Sequence, residues 1–232
     1  MPAITTQFDV KGNLDLNTFK INLSHQINAG VNGIILGGTL GEASTLTNQE
    51  KQQLLAVTLG EVNGKIPVIM NIAEQATMEA IRLAQKAEAD GADGLMLLPP
   101  MRYKATDEET VTYFSTIANA TNLPIMIYNN PIDYKIEVTL EMFAALESIK
   151  NITAVKESTR DITNITRMIN RFGDRFQILC GVDTIAMEAL LMGANGWVAG
   201  LVDAFPEETV AIYSYCKQGE LEKARSIFSW FL

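Results

Sequence analysis

Cysteine and histidine are scarce in this 232-residue chain, which contains two cysteines, Cys180 and Cys216, and one histidine, His25. Both cysteines lie in apolar surroundings, and two cysteines cannot build a disulfide framework. We therefore expect a reducing, cytoplasmic compartment. No pair of cysteine or histidine residues has the spacing of zinc ligands, so the sequence argues against zinc-dependent chemistry and predicts no metal site.

Clusters of basic residues and long apolar runs are also missing from the sequence. The formal net charge is −9, with 18 lysines and arginines against 27 aspartates and glutamates. Nucleic acids and anionic membrane surfaces are bound through clustered basic side chains, so we expect neither as a partner. No unbroken apolar stretch reaches the ~18 residues of a membrane span. Residues 1–4 carry no charged n-region, so we expect no signal peptide.

Apolar, β-branched runs alternate with helical patterns along the whole chain. Hydrophobic residues make up 47% of the sequence, which fits one α/β domain with a large core. The predicted strands lie at residues 3–8, 33–37, 67–73, 94–98, 124–128, 153–156, 176–180 and 196–200. The predicted helices lie at residues 17–29, 48–62, 76–90, 107–120, 140–147, 162–172, 184–192 and 206–217.

Eight strand–helix pairs predict a (β/α)8 TIM barrel. A doubly wound sheet is the alternative, but it usually has a nucleotide-binding glycine loop after its first strand, and this sequence has none there. A repeat at residues 29–33, 90–94 and 192–196 supports the barrel, because each copy places one glycine just past a helix and another at the next strand. Chance glycine turns are the alternative explanation of the repeat.

The end of the chain begins a ninth helical pattern and is strongly apolar. We therefore expect the barrel at residues 1–217 and the start of a C-terminal helical extension at residues 218–232. The apolar end indicates either a truncated chain or a helix that packs on a partner subunit.

Lys156 is the one lysine that lies inside an apolar, β-rich run, whereas the ten others fall in turns or on helix faces. Burial disfavours the charged ammonium and lowers its pKa, and a neutral amine can attack a carbonyl carbon to form a Schiff base. The alternative is structural, with Lys156 reaching past the strand end to a carboxylate such as Glu157 or Asp183.

Tyr128 ends the preceding strand and is followed by two asparagines and a proline. A phenol at this position can hydrogen-bond and shuttle protons, although an aromatic plug at a strand end is the alternative. Neighbouring strands of a parallel barrel present their carboxyl ends to one shared mouth. We therefore expect Tyr128 and Lys156 to lie within reach of one substrate.

A glycine-rich loop, residues 37–42, follows the second predicted strand. Consecutive small residues leave backbone N–H groups free to hold an anion, and Thr39 adds a hydroxyl, so the loop suits a carboxylate. It lacks the lysine and the spacing of a phosphate-binding P-loop. A tight turn that merely needs glycine is the alternative.

With residues 38–42, 128–131 and 155–158 in this order, the chain resembles the dihydrodipicolinate synthase/N-acetylneuraminate lyase family. The resemblance extends over the whole chain and includes residues 181–183 and 193–198. It implies a class I aldolase-type barrel in which a lysine forms a Schiff base with a 2-oxo acid, usually pyruvate. Members are typically homotetramers with extra C-terminal helices, so we expect a dimer or tetramer, and no cofactor is implied.

The resemblance also implies the role of each site residue. Lys156 would be the nucleophile, Tyr128 the proton shuttle, and Thr39 a further catalytic hydroxyl. The implied substrate-binding residues are the backbone of Gly38, Thr39 and Leu40, together with Gly41, Arg102, Asn130, Asp133, Gly181 and the carbonyl of Val198.

Three departures from the family pattern concern the substrate. Leu40 stands where members usually have a second hydroxyl, and Asp133 stands where the synthases have the arginine that holds the carboxylate of aspartate semialdehyde. The loop at residues 99–104 lacks the paired tyrosines of the synthases, although Arg102 could supply a cation from another direction. We therefore expect a different 2-oxo acid or cyclic imine, such as a deoxy sugar acid or a hydroxyproline-derived pyrroline carboxylate.

Three other functions are alternatives to this expectation. A true dihydrodipicolinate synthase is the nearest alternative, and a barrel that binds a 2-oxo acid without turnover is an alternative of another class. Pyridoxal phosphate on Lys156 would need a phosphate site and a partner for its aromatic ring, and the sequence offers neither.

Overall fold

The computed structural model describes residues 1–100 and 104–231, which form an α/β structure on one parallel sheet. The seven strands pair in chain order from β1 to β7. They are β1 (Ile34–Leu36), β2 (Val68–Ile72), β3 (Gly94–Leu97), β4 (Ile125–Asn129), β5 (Ile152–Glu157), β6 (Gln177–Cys180) and β7 (Gly196–Trp197). Seven of the eight predicted strands are confirmed. The apolar runs located them because parallel strands that are buried on both faces consist mostly of apolar residues.

The predicted first strand, residues 3–8, is wrong in extent. It is reduced to two isolated parallel bridges, Pro2 with Ala199 and Ala3 with Ile35. The Ala3 N–H donates to the Ala199 carbonyl over 3.1 Å, and the Ile35 N–H donates to the Pro2 carbonyl over 2.9 Å. The segment thus bonds to both edges of the sheet, an arrangement that is consistent with a (β/α)8 barrel.

After Ile4 the chain leaves the sheet. The buried Thr6 hydroxyl donates to the Gly41 carbonyl over 2.7 Å, and Phe8 pairs with Leu14 in an antiparallel bridge. These bonds direct the segment away from β1 and β7. The apolar, β-branched run at residues 3–8 therefore does not continue as a strand.

Ten α-helices lie in the described part of the chain. They are α1 (Leu16–Asn28), α2 (Asn48–Val62), α3 (Thr77–Ala89), α4 (Asp107–Ala118), α5 (Pro131–Tyr134), α6 (Leu140–Leu146), α7 (Thr163–Phe172), α8 (Ala186–Leu191), α9 (Pro206–Gln218) and α10 (Leu221–Phe231). All eight predicted helices are present, and α5 was not predicted. None of these helices is both long enough and apolar enough to span a membrane.

The glycine repeat is confirmed at its three helix ends. Gly30, Gly91 and Gly193 have φ values of 88°, 93° and 104°, in the left-handed region that glycine tolerates best. A Cβ on Gly94, the second glycine of one joint, would lie 3.1 Å from the Pro124 carbonyl oxygen. The close approach of β3 to the segment that precedes β4 thus depends on glycine at this joint.

The apolar residues form two layers, one between sheet and helices and one inside the curled sheet. The inner layer consists of Ala3, Ile35, Met96, Leu98, Met126, Tyr128, Ala154 and Val198. Because side chains alternate along a strand, Lys156 follows Ala154 to the same inner face. The fold therefore directs both Tyr128 and Lys156 into the interior of the curled sheet, near its carboxyl end.

The last two helices pack against each other, and Gly219, with φ of 77°, separates them. Phe205 contacts both Trp230 and Phe231 at ring-centroid distances of 5.0 Å and 5.5 Å. Trp230 remains 63% exposed. The apolar pattern at the end of the chain thus forms a helix whose aromatic side chains are only partly covered by the described residues.

Candidate active site

Strands β4 and β5 lie side by side, and their register pairs Tyr128 with Lys156. Each side chain is 7% exposed. The Lys156 Nζ lies 3.9 Å from the centroid of the Tyr128 ring. The two residues are therefore neighbours at the carboxyl ends of adjacent strands, as the strand order predicted.

The Lys156 amine is chemically unusual because of its burial. Burial lowers its pKa to about 8, although Asp183 and Cys180 act in the opposite direction. At this pKa roughly a tenth of the amine is neutral at pH 7, several hundred times the fraction of an ordinary lysine. The neutral amine is the form that attacks a carbonyl carbon.

The structural alternative for Lys156, an ion pair with Glu157 or Asp183, is not formed. None of the ion pairs among the described residues includes Lys156. The Glu157 carboxylate accepts a hydrogen bond from Asn164 Nδ2 over 2.8 Å, and the Asp183 carboxylate accepts one from Trp197 Nε1 over 2.9 Å. Both acids are thus held by other donors.

The Tyr128 hydroxyl accepts a hydrogen bond from Asn130 Nδ2 over 3.1 Å. Burial raises the pKa of Tyr128 to about 12, so the phenol is protonated at neutral pH. It can donate a proton to a developing oxyanion or leaving hydroxide and must then recover one. The ring also packs in the inner apolar layer. Tyr128 therefore fills space at the strand end and can also donate a proton.

Gly181 leaves the space through which the Lys156 side chain passes. A Cβ at this position would lie 2.7 Å from Lys156 Cγ and 2.1 Å from Ser158 Oγ. The Ser158 hydroxyl is buried and has no hydrogen bond of normal geometry within the described chain. A side chain at position 181 would therefore displace both the lysine and this hydroxyl.

The glycine loop after β1 places a row of backbone donors at the mouth. Among the described residues, no hydrogen bond uses the N–H of Gly38, Thr39, Leu40 or Gly41. A Cβ on Gly41 would lie 2.8 Å from the Ile4 carbonyl oxygen, so this glycine is needed for packing as well. Unpaired, consecutive N–H groups are the feature that an anion nest requires.

Leu40, which belongs to this loop, and Val198, which belongs to the inner layer, differ in exposure. Leu40 is 51% exposed, and its Cδ1 is only 2.8 Å from where a Cβ on Gly200 would stand. Val198 is buried in the inner layer, and its N–H donates to the Cys180 carbonyl over 2.8 Å. The side chain of Leu40 therefore packs over Gly200 and supplies no polar group to the mouth.

Asn130 and Asp133 belong to the turn that follows β4. Asn130 Nδ2 donates to Asp133 Oδ2 over 2.7 Å as well as to the Tyr128 hydroxyl. Asp133 is exposed, and its carboxylate accepts a hydrogen bond from Asn130, which also donates to the Tyr128 hydroxyl. Arg102, which the sequence offered as a replacement cation, lies outside the described residues.

A cavity of about 610 Å³ opens beside these residues. Its lining includes Thr39 and Tyr134 but neither Lys156 nor Tyr128. Within the described ranges, no cluster of histidine, cysteine, aspartate or glutamate has the arrangement of a metal site.

Sequence reasoning missed Tyr134, whose hydroxyl is hydrogen-bonded to Thr39 Oγ1. The available signal was Asn130 followed by Pro131, since an N-cap asparagine with proline at the first helical position predicts a short helix that turns the chain back. Ser158 was seen as part of the lysine motif, but its buried hydroxyl near Tyr128 was not anticipated.

Comparison with known proteins agrees with the geometry. Residues 1–230 match the model of the Dihydrodipicolinate synthetase family. The 4-hydroxy-tetrahydrodipicolinate synthase of Methanopyrus kandleri is 35% identical over 230 residues, which cover 98% of this chain and 76% of that protein. The chain thus spans about three quarters of the length of this relative.

Solved structures lead to the same family. Dihydrodipicolinate synthase from Thermotoga maritima has a TM-score of 0.94 and 31% identity, over 98% of this chain and 78% of that one. The chloride-inhibited enzyme from Acinetobacter baumannii, complexed with pyruvate, has a TM-score of 0.94 and 28% identity over the same shares. The chain therefore belongs to the dihydrodipicolinate synthetase family and is a class I, Schiff-base-forming lyase of the aldolase type.

Proposed function

We propose that this protein binds pyruvate or a related 2-oxo acid as an imine on Lys156. The observation that carries the proposal is the buried amine itself, which has a pKa lowered to about 8 and lies 3.9 Å from the Tyr128 ring. A structural lysine gains from an ion pair, whereas Lys156 has none among the described residues.

The groups around Lys156 have the other roles in imine formation and substrate binding. The neutral amine attacks the keto carbon, and the carbinolamine that results loses water when Tyr128 protonates its hydroxyl. The N–H groups of Gly38, Thr39 and Leu40 hold the substrate carboxylate, and their lack of protein partners supports this role. Gly181 leaves room for the adduct, and the Val198 carbonyl lines the opposite side.

The second substrate is the finer part of the proposal. Asp133 places a carboxylate at the mouth, and a like charge within about 4–6 Å disfavours a second substrate carboxylate. We therefore favour a hydroxylated 2-oxo acid or a cyclic imine over aspartate semialdehyde. The relatives named 4-hydroxy-tetrahydrodipicolinate synthase favour the second candidate, dihydrodipicolinate synthesis.

The same proposal extends to the whole molecule. We propose a complete (β/α)8 barrel at residues 1–217, with residues 2–4 as a short first strand, and the start of a helical extension at residues 218–232. The half-covered aromatic residues of α10 support a dimer or tetramer in which another subunit covers them. We place the enzyme in the cytoplasm, with small molecules as its substrates and no nucleic-acid or membrane partner.

Reduction with borohydride tests the imine directly. Incubation with pyruvate should add one reduced adduct per chain, which peptide mass spectrometry should locate on Lys156. Lys156→Arg, which keeps the positive charge, should abolish the adduct. Lys135→Arg, which alters an exposed lysine near the mouth, should leave it unchanged. An adduct on another lysine, or none with any 2-oxo acid, would refute the proposal.

A substrate panel tests the second substrate. Product formation should be weak with pyruvate and aspartate semialdehyde and stronger with a hydroxylated or cyclic-imine derivative. Asp133→Arg should shift the preference toward the semialdehyde, whereas Asp133→Asn should remove the charge without adding a cation. Efficient dihydrodipicolinate synthesis by the unmodified protein would favour the second candidate.

A further inference from the structure

A second pair of polar residues lies behind the reactive pair, on the opposite face of the same two strands. The register places Asn129 beside Glu157, just as it places Tyr128 beside Lys156. Because side chains alternate along a strand, Asn129 and Glu157 point to the outer face of the sheet. Asn129 is fully buried, and Glu157 is 4% exposed. They are the last residues of β4 and β5, so they form the final contact before the two strands turn into loops.

The Glu157 carboxylate accepts three hydrogen bonds from different parts of the chain. Its Oε2 accepts from Asn129 Nδ2 over 3.3 Å and from Asn164 Nδ2, in the first turn of α7, over 2.8 Å. Its Oε1 accepts from the Thr159 N–H over 2.7 Å. Burial raises the pKa of Glu157, and these three bonds oppose the rise. The carboxylate therefore joins β4, α7 and the turn after β5 to the strand that carries Lys156.

Asn129 extends this network to the loop that contacts Tyr128. Its Oδ1 accepts from the Val138 N–H over 2.9 Å, and its Nδ2 donates to the Val138 carbonyl over 3.1 Å. These two bonds hold together the ends of the loop at residues 130–137. Within that loop, Asn130 Nδ2 donates to the Tyr128 hydroxyl over 3.1 Å. The environment of the phenol is thus coupled to bonds that are made behind the sheet.

A carboxylate is a costly side chain at this position. The outer face carries the larger apolar layer, which includes Val155, two residues before Glu157, and Cys180, its partner in β6. None of the ion pairs among the described residues includes Glu157. A buried charge is tolerated where hydrogen bonds satisfy it, but an apolar side chain of similar volume often gives a more stable fold. Stability alone therefore does not account for Glu157.

Glu157 is also unsuited to act on the substrate directly. Its side chain lies on the face opposite to Lys156, and both of its oxygens are bound by protein donors. What it can determine is geometry, because the ends of strands fray where nothing holds them. A misplacement of about 1 Å in an active site can cost on the order of 10²-fold in rate.

We propose that Glu157 is a positioning residue, which holds the carboxyl ends of β4 and β5 together from the outer face and so sets how Tyr128 lies against Lys156. The proposal rests on the proposed function, in which these two side chains act on one substrate. It assigns to the outer face of the sheet a role in the reaction that takes place on the inner face.

Exchange of the pyruvate methyl hydrogens in D₂O tests the proposal without a second substrate. Deuterium enters the methyl group when the imine loses a methyl proton to form an enamine and then gains a deuteron, and proton NMR follows the loss of signal. Glu157→Met keeps the length of the side chain and removes both acceptors. Glu157→Gln keeps one oxygen, which can still accept from Asn129 and Asn164. Asn164→Ala removes a single bond and decides the question if Glu157→Met does not fold.

The matched control is Asn151→Ala, at the amino end of β5. Asn151 Nδ2 donates to the carbonyls of Ala118, Thr121 and Leu123 over 2.9, 3.1 and 3.4 Å. Its loss weakens the attachment of β5 to the segment before β4, but at the other end of the strand from Lys156. Rates are compared at a temperature at which circular dichroism shows every variant to be folded.

Glu157→Met should lower kcat for exchange about 10–10²-fold, because the two reacting side chains are no longer held in their relative position. Its KM for pyruvate should stay within about twofold of the unmodified value, since the backbone donors of the glycine loop are untouched. Glu157→Gln should recover most of the rate, and Asn164→Ala should lower kcat about threefold to tenfold. Asn151→Ala should lower the melting temperature and leave kcat unchanged.

Three results would overturn the proposal. The first is a folded Glu157→Met enzyme, or an Asn164→Ala enzyme in its place, that exchanges at the unmodified rate. The second is a Glu157→Gln enzyme as slow as Glu157→Met, which would mean that the charge and not the hydrogen bonds matters. The third is an Asn151→Ala enzyme as slow as Glu157→Met, which would reduce the effect to lost stability.

Borohydride trapping separates these failures from failure of the proposed function. If the unmodified protein forms the Lys156 adduct with pyruvate, only the positioning role of Glu157 is wrong. If it forms no adduct, the proposed function is wrong as well.

Discussion

Raising the pH from 7 to 9 should accelerate imine formation at Lys156 about tenfold at low pyruvate concentration. The reason is the pKa of about 8 that burial gives the amine. The neutral fraction then rises from roughly a tenth at pH 7 to roughly nine tenths at pH 9. An ordinary lysine with a pKa of 10.5 would gain about a hundredfold over the same range.

Timed quenching with borohydride can measure this rate. Protein and pyruvate are mixed at each pH, and the reaction is stopped in borohydride at one fixed pH, so that the chemistry of the quench is constant. Intact-protein mass spectrometry then gives the adduct formed at each time. Nα-acetyllysine under the same conditions serves as the control with an ordinary amine and should show the hundredfold rise.

The shape of the profile decides whether the reasoning holds. A rate that levels off above pH 8 supports a depressed pKa. A hundredfold rise that still continues at pH 9 would mean that the folded protein does not perturb the amine. A flat profile would mean that ionisation of Lys156 does not control imine formation.

Three further predictions concern the groups around the amine. Lys156→Met should raise the free energy of unfolding at pH 7 by about 3 kcal/mol, because lowering the lysine pKa from 10.5 to about 8 costs the folded state about 1.36 kcal/mol per pH unit. This gain should shrink as the pH rises from 8 to 10.5, because the lysine also becomes neutral in the unfolded chain. Urea denaturation at pH 7 and pH 10 measures the gain and its loss. Gly181→Ala should abolish trapping at Lys156 and cost about 1–3 kcal/mol of stability through overpacking, whereas Gly60→Ala, on an open face of α2, should be neutral or stabilising. Tyr128→Phe should lower the rate at which the methyl hydrogens of pyruvate exchange in D₂O about 10²–10⁴-fold, with an unchanged circular dichroism spectrum. A near-normal exchange rate would mean that Tyr128 only fills space at the strand end.

The sequence alone determined the positions of the strands that carry the site. Lys156 lies in β5 and Tyr128 in β4, as predicted. Both strands could be located because a buried parallel strand appears in the sequence as a short apolar run. The order of the runs then placed the two residues side by side, since consecutive strands of such a sheet are neighbours. The glycines at helix ends were equally readable, because their backbone conformation depends on adjacent residues.

The tertiary structure decided what the polar side chains of the loops contact. The sequence offered Asp133 as a group facing the substrate, but its carboxylate bonds to Asn130. Tyr134 meets Thr39 across 95 positions of sequence. Such contacts depend on the path of each loop and on which donors it leaves free, and no periodic pattern records either.

The same distinction explains the first strand and the lysine. Residues 3–8 are rich in apolar and β-branched side chains like a strand, yet only residues 2–4 bond to the sheet, because Thr6 bonds to the loop after β1. For Lys156 the sequence left two readings open, a reactive amine and an ion pair. Only the packed structure distinguishes them, since it shows which donors hold the nearby carboxylates and how little water reaches the amine.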